Sequence, residues 1–326
     1  MSVSTIFTQK VLIDGTEMPL GYILKVLYVE ASDIDGSRLL LTVSDMDGDV
    51  RDSLGLKYES VLTMTLGDVH MDDGSQFTEK FTVVSDPKRD GDTLLVECLP
   101  TAVYELKAKT IKPRFFVDKS PKQILNELIK GYPVHIDGIV GRGTYHLHAG
   151  VTASQLIKEM AKEMGARFFY CRGHFYLRAY DYIARQTTKA DLEYKNSRAY
   201  HSIWSLKQSF SGSLITRERL KNHCYFDITK GAKQSNDQYE RRIIPNIGED
   251  KIKRLNRHIV PKLRFEMRGT TVFKPTDNVK LKIHRFDGQR VLDESIPAEQ
   301  SIIELIHYQH GYIYVCHATT GVVNSD

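Results

Sequence analysis

SPKQILNELIKG (Ser120–Gly131) and TASQLIKEMAKEMG (Thr152–Gly165) share one grammar. Each opens on Ser or Thr with Gln three residues on. The two side chains can then satisfy the orphan backbone N–H groups of a helix start. Each closes on a Gly able to take the left-handed conformation past the last turn. The first predicted helix gathers Ile124, Leu125, Leu128 and Ile129 on one stripe. The second gathers Ala153, Leu156, Ile157, Met160, Ala161 and Met164, with Lys158, Glu159, Lys162 and Glu163 outside. Directly after it, Arg167–Cys171 and His174–Ala179 alternate around Arg172-Gly173, the signature of a hairpin with a two-residue turn. A small α/β unit is therefore expected in mid-chain.

To its N-terminal side, residues 1–110 read as β. Leu39, Leu41 and Val43 alternate with Leu40, Thr42 and Ser44, and Leu62, Met64 and Leu66 with Thr63 and Thr65. Runs over Phe77–Ser85 and Thr93–Leu99 follow. Asp14-Gly15, Asp35-Gly36, Asp47-Gly48, Asp73-Gly74 and Asp90-Gly91 supply turns, and this spacing predicts a small barrel or sandwich. To the C-terminal side, residues 183–200 read as a polar crossing segment and Ser202–Phe210 as one strand. Residues 210–260 read as long basic loops. Val279, Leu281 and Ile283, then Ser301–Tyr308 and Tyr312–Ala318, return the chain to β. The expected fold class is α+β, mostly β, with two barrel-like bodies around a small α/β domain. The expected division is 1–112, 113–182 and 183–326.

The chain has 326 residues, 41% of them hydrophobic and 26% charged, enough for two or three cores. Met1–Lys10 lacks the pattern of a signal peptide, and no apolar run approaches the ~20 residues that span a bilayer. Cys98, Cys171, Cys224 and Cys316 are scattered, which predicts free thiols. The net charge of +4 is unevenly spread. Residues 1–110 hold ten Lys/Arg against nineteen Asp/Glu, a net of −9, and the remainder holds thirty-five against twenty-two, a net of +13. Such polarity favours oriented contacts between proteins or between copies of this one.

No stretch carries recognisable catalytic chemistry. Asp45, Asp47 and Asp49 open like a calcium loop, but Val50 and Leu56 occupy the positions that want Gly and Glu, so an acidic turn is expected. His146 and His148 share a strand face without a third ligand at a recognisable spacing. Gly138, Gly141 and Gly143 precede a strand, not the helix a phosphate loop requires. Ser209, Ser211 and Ser213 do not form a nucleophile elbow. The basic run 241–258 has no aromatic residue between Tyr239 and Phe265 for base stacking, which favours a solvated loop or a docking arm. No catalytic, cofactor-binding or metal-ligating residue is assigned.

In its order of parts the chain resembles the baseplate hub proteins of phage tails (late control protein D) and the hub-like N-terminal half of type VI secretion spike proteins. Two segments carry the likeness. One is Gly36–Asp45 with Leu54-Gly55-Leu56 and Val61–Gly67. The other is Ser120–Leu125 with Gly150–Ile157, Met164–Tyr170 and Gly173–Leu177. The resemblance implies a homotrimer whose two β-bodies per subunit make a pseudo-sixfold ring. That ring joins a hexameric tail tube to a trimeric central spike within the virion baseplate, after synthesis in the host cytoplasm. The implied partners are tube or tube-initiator proteins, a separate spike polypeptide and other baseplate proteins, with neither membrane anchor nor specific nucleic acid. It implies no enzyme and no cofactor. Two other classes stay open at this point. One is a carbohydrate-binding or carbohydrate-cleaving tail protein, kept open by 17 Tyr and 13 Phe. The other is a nucleic-acid-binding protein acting through Arg241, Arg242 and Lys251–Arg257.

Overall fold

The computed structural model describes residues 6–68, 76–209, 222–227, 229, 231–234, 241–243, 252, 254–285 and 291–324. It is α+β and mostly β, as the sequence predicts, with 52% strand and 14% helix.

The N-terminal body contains β1 (Thr8–Ile13), β2 (Thr16–Met18), β3 (Ile23–Ala31), β4 (Arg38–Ser44), β5 (Val61–Leu66), β6 (Phe77–Val83), β7 (Lys88–Asp90) and β8 (Thr93–Pro100). Their order in the sheet is β2-β1-β5-β6-β8-β4-β3, with β7 against β8. Alternation decides which face turns inward: Leu39, Leu41, Val43, Leu62, Met64 and Leu66 are all buried. Two contacts tie the start of β1 to other strands: Phe7 stacks on Tyr28 of β3, and the Thr8 amide donates to the Gln309 side chain, near the C-terminal end of the chain, at 2.8 Å.

The short helix α1 (Thr101–Leu106) leads to the α/β unit. That unit comprises β9 (Arg114–Lys119), α2 (Pro121–Leu128), β10 (Val134–Asp137), β11 (Gly143–Leu147), α3 (Ala153–Glu163), β12 (Ala166–Cys171), β13 (His174–Ala179) and α4 (Tyr180–Arg185). Both expected capping boxes form: Ser120 with Gln123, and Thr152 with Gln155. The Arg172-Gly173 turn has positive φ at both residues (48° and 80°), the type I′ geometry that matches strand twist. Here β13 is flanked by β10 and β12, while β9 and β11 form a separate ribbon. Both helices bury their apolar stripes in a core that also takes Ile34, Ala102, Val103 and Leu106.

The C-terminal body adds β14 (Thr188–Tyr194), β15 (Ser202–Gln208), β16 (Asn222–Asp227), β17 (Gly231–Gln234), β18 (Arg241–Ile243), β19 (Ile259–Arg268), β20 (Asn278–Lys282), β21 (Glu299–His310) and β22 (Ile313–Val323). Strands β21-β20-β14-β15-β19-β22 form a ring that closes through β21–β22 pairing. Val279, Leu281 and Ile283 face its interior. Strands β16, β17 and β18 make a separate small sheet.

Two segments differ from expectation. The predicted crossing segment contains barrel strand β14. Its inward side is Thr188, Ala190, Leu192 and Tyr194, of which only Leu192 is fully buried. Its outward charges are held by neighbours, Lys189 to Asp277 at 2.7 Å and Asp191 to Lys282 at 2.9 Å. So few apolar residues give too weak an alternation to read. Within 210–260 the expected loops include β16–β18 and the start of β19. Pro261 sits in β19 beside a register shift that accommodates it, an interruption that masks a strand pattern. The Asp73-Gly74 turn and Ser211 and Ser213 lie outside the described residues.

One ladder joins the two bodies. β3 pairs antiparallel with β21 from Lys25↔His310 to Ala31↔Glu304, which makes a single 14-stranded sheet. One apolar core accordingly runs from Phe7 through Cys98 and on from Leu192 to Ala318. No helix among the described residues is long and apolar enough to cross a membrane.

Candidate functional site

The most chemically distinctive place in the molecule lies behind the β3–β21 seam. Val26-Leu27-Tyr28-Val29 brings β3 in as an apolar strand, then Glu30 places a carboxylate in it, fully buried. A lone buried carboxylate would be prohibitive, so partners are obligatory. The type I′ hairpin of the α/β unit supplies the first. Arg172 grips Glu30 through two parallel bonds, Nε to Oε1 at 2.7 Å and Nη2 to Oε2 at 2.8 Å. Its remaining donors reach the carbonyls of Thr271 and Phe273, the latter at 3.0 Å, in the chain leading to β20. The guanidinium also lies 4.8 Å from the centre of the Phe77 ring. One side chain thus ties together the first sheet, the α/β unit and the C-terminal barrel.

From β21, His307 completes the cluster. Its Nε2 is 3.1 Å from Glu30 Oε2, and its Nδ1 faces Tyr314 Oη at 2.8 Å and Cys316 Sγ at 3.3 Å, both on β22. Phe7 covers it, stacked on His307 at 4.9 Å and on Tyr314 at 4.8 Å. Burial pushes the imidazole pKa down, but Cys316 and Glu30 more than offset this and hold it up to about 9. Burial likewise favours the neutral form of Glu30, yet Arg172 and His307 keep it ionised, far below the ordinary carboxylate value.

A second carboxyl beside this cluster behaves oppositely. Glu79 of β6 makes no ion pair among the described residues, although the Lys80 amide donates to it at 3.3 Å. It accepts from Tyr170 Oη at 2.5 Å, and that hydroxyl in turn accepts from the Gly173 amide at 3.1 Å. Burial raises Glu79 to about 7. Among its neighbours, then, Glu30 is the fixed anion and Glu79 the titrating one.

None of these residues was legible as a site. The sequence separations are 142 between Glu30 and Arg172 and 277 between Glu30 and His307. A charge inside an apolar strand was the one local signal.

The residues weighed in the sequence fall elsewhere. Asp45 is buried and accepts from the Val50 amide at 2.9 Å, so it shapes a turn. His146 and His148 do meet, with ring centres 3.8 Å apart and Phe115 stacked on His146. No group of three His, Cys, Asp or Glu suited to a metal occurs among the described residues. Gly138, Gly141 and Gly143 lie between and at the start of strands β10 and β11. Ser209 donates its amide to Lys262. Arg241 and Arg242 lie exposed on β18, whereas Arg257 pairs with Asp181. All four cysteines are free.

No protein-family model and no curated protein sequence matches the chain. Solved structures do. A 43 kDa tail protein of prophage MuSo2 from Shewanella oneidensis superposes over 96% of this chain and 97% of its own, with TM-score 0.64 at 14% identity. A tail protein from Neisseria meningitidis MC58 covers 96% of this chain and 95% of its own, with TM-score 0.65 at 10% identity. An E. coli component of the type VI secretion system, described as similar to the T4 tail proteins gp27 and gp5, covers 98% of this chain and 78% of its own. Its TM-score is 0.58 at 11% identity. The chain therefore shares its overall fold with these two tail proteins and with this secretion-system component.

Proposed function

We propose that the chain is a structural baseplate hub of a phage tail. The observation that carries this is the fused pair of β-bodies. Each follows a path of six strands, β1-β5-β6-β8-β4-β3 and β21-β20-β14-β15-β19-β22, and β3–β21 locks them side by side. Three copies in a closed ring would present six such bodies, an adapter between a hexameric tube and a trimeric spike. In this proposal 1–112 and 183–326 are the two tube bodies, and 113–182 braces them. The tail tube and a separate spike polypeptide are the partners, and the virion tail is the location. Whole-length likeness to tail proteins supports it, as does the opposite charge of the two halves, which favours head-to-tail contacts. The buried Glu30–Arg172–His307 cluster then has a mechanical role, fixing the angle between bodies. No catalytic role is proposed for it.

Light scattering across a concentration series, followed by electron microscopy, tests the proposal. A particle near three times 37.3 kDa with six lobes is expected, alone or on the spike. A chain that stays monomeric in the presence of tube and spike proteins overturns it.

A further inference from the structure

A second place, distinct from the Glu30–Arg172–His307 cluster and outside the structural role just proposed, gathers cations around an apolar floor. A cleft of about 310 Å³ opens between α3, the start of β12 and the segment from Leu255 to His258. Its floor is apolar: Ala161, Ala166, Phe168, Tyr180 and Leu255 are all buried there. Its rim is basic, with Lys158, Lys162, Arg167, Arg257 and His258.

The walls are fixed in place. Gly165 has φ +60°, and a Cβ there would lie 2.6 Å from Arg254 Cβ, so the incoming segment rests directly on the glycine. On the other side the His258 amide donates to Asn324 Oδ1 at 2.7 Å, and Asn324 donates back to the Asn256 carbonyl at 3.2 Å.

The carboxylates nearby are already engaged. Asp35 binds Lys107 and Lys158, Asp181 binds Arg257, and Asp33 meets Arg167 Nη1 at 3.5 Å and accepts from the Asp35 amide at 3.0 Å. What remains is donor capacity. The buried Nε of Arg167 has no hydrogen-bond partner, although its guanidinium is held over the Tyr180 ring at 5.7 Å. Lys162 is exposed and has no ion-pair partner among the described residues. That Nε is closed to solvent, but the Arg167 side chain keeps 25% of its surface exposed beside Lys162, and cations above an apolar floor suit an acceptor attached to an apolar body.

We propose that this cleft docks an acidic segment of a partner protein, placing a carboxylate on Arg167 and Lys162 and a neighbouring apolar side chain on the Phe168–Tyr180 floor. The volume suits one or two side chains rather than a folded surface, and the surplus of positive charge selects against basic segments.

Calorimetric titration of the full chain with acetyl-Leu-Glu-Leu-Glu-amide tests this, with the Gln counterpart as control. Tighter binding of the Glu peptide by about tenfold is expected, the worth of one charge-assisted hydrogen bond. Lys162→Gln, at an exposed position that leaves the fold intact, is expected to weaken the Glu peptide about threefold or more and to leave the Gln peptide unchanged. Arg167→Gln should do the same more strongly. Equal affinity for the two peptides, or a Glu-peptide affinity indifferent to both substitutions, overturns the proposal. So does inorganic phosphate that binds more tightly than the peptide and displaces it, which would mark a small-oxyanion site instead.

Discussion

Arg172, at the tip of a hairpin in the α/β unit, holds Glu30 of the first sheet in a two-bond ion pair closed to water. Buried pairs of this kind contribute modestly as pairs, because desolvation offsets attraction. Breaking one is costly, because the survivor stays buried and unpaired. Arg172→Ala should therefore destabilise the chain by about 3–5 kcal/mol. Glu30→Gln with Arg172→Met, which removes both charges, should recover much of that loss. Urea unfolding of both variants against wild type measures it. A mild effect of Arg172→Ala would mean the pair is not closed to water.

The seam should also set the pH dependence of stability. Glu79 has its folded pKa raised from 4.5 to about 7, so the folded state holds a proton that the unfolded state has released. The resulting stabilisation is full below pH 4.5 and disappears as pH rises through 7, a loss on the order of 3 kcal/mol. His307 is raised from 6.5 to about 9, so its contribution is full below 6.5 and is lost as pH rises through 9. Glu30 is lowered and has the opposite sign: its contribution is lost only in acid, below its unfolded value of 4.5. Glu79 should make the unfolding free energy fall between pH 4.5 and 7. Above that, His307 is opposed by Cys316, whose pKa the same contact lowers, so the pair adds little net slope. Glu79→Gln should flatten the fall, and a flat wild-type profile would contradict the Glu79 shift.

Leu281 faces the interior of the closed barrel and is buried. Leu281→Asp should cost about 4 kcal/mol or more, since a carboxylate there finds no partner. Leu62→Asp in the first body should act alike, because one core serves both bodies. Chemical denaturation monitored in the two bodies should show the transitions moving together; two separate transitions would contradict a shared core.

Gly165 combines a left-handed backbone with a missing side chain, against Arg254. Gly165→Ala adds about 1–2 kcal/mol of backbone strain and a steric clash. Loss of stability should be accompanied by faster amide exchange in Leu255–His258 as that segment lifts away. Unchanged exchange there would show that the contact does not fix the segment.

The helix caps offer a smaller, cleaner effect. Ser120→Ala and Thr152→Ala should each cost about 1 kcal/mol, read as a drop in melting temperature. A joint loss well beyond the sum would point to coupling between the helices through their common core.

Local chemistry was legible because it is local. The Ser120–Gln123 and Thr152–Gln155 boxes, the Arg172-Gly173 turn and the alternation of Leu62, Met64 and Leu66 follow from residues a few positions apart. These are enough to establish an α+β fold, mostly β, with a helical unit in the middle. β14 escaped because its inward face is largely small or polar, and β19 because Pro261 interrupts it. The closure of β21 onto β22 and the joining of β3 to β21 arise from strands far apart in the chain, whose register only packing decides. The same holds for the charges: sequence shows Glu30, Arg172 and His307 as three ordinary ionisable residues. Tertiary structure alone removes water from them, and with it decides that one carboxylate stays charged, that its neighbour Glu79 takes a proton, and that the two β-bodies are held as one.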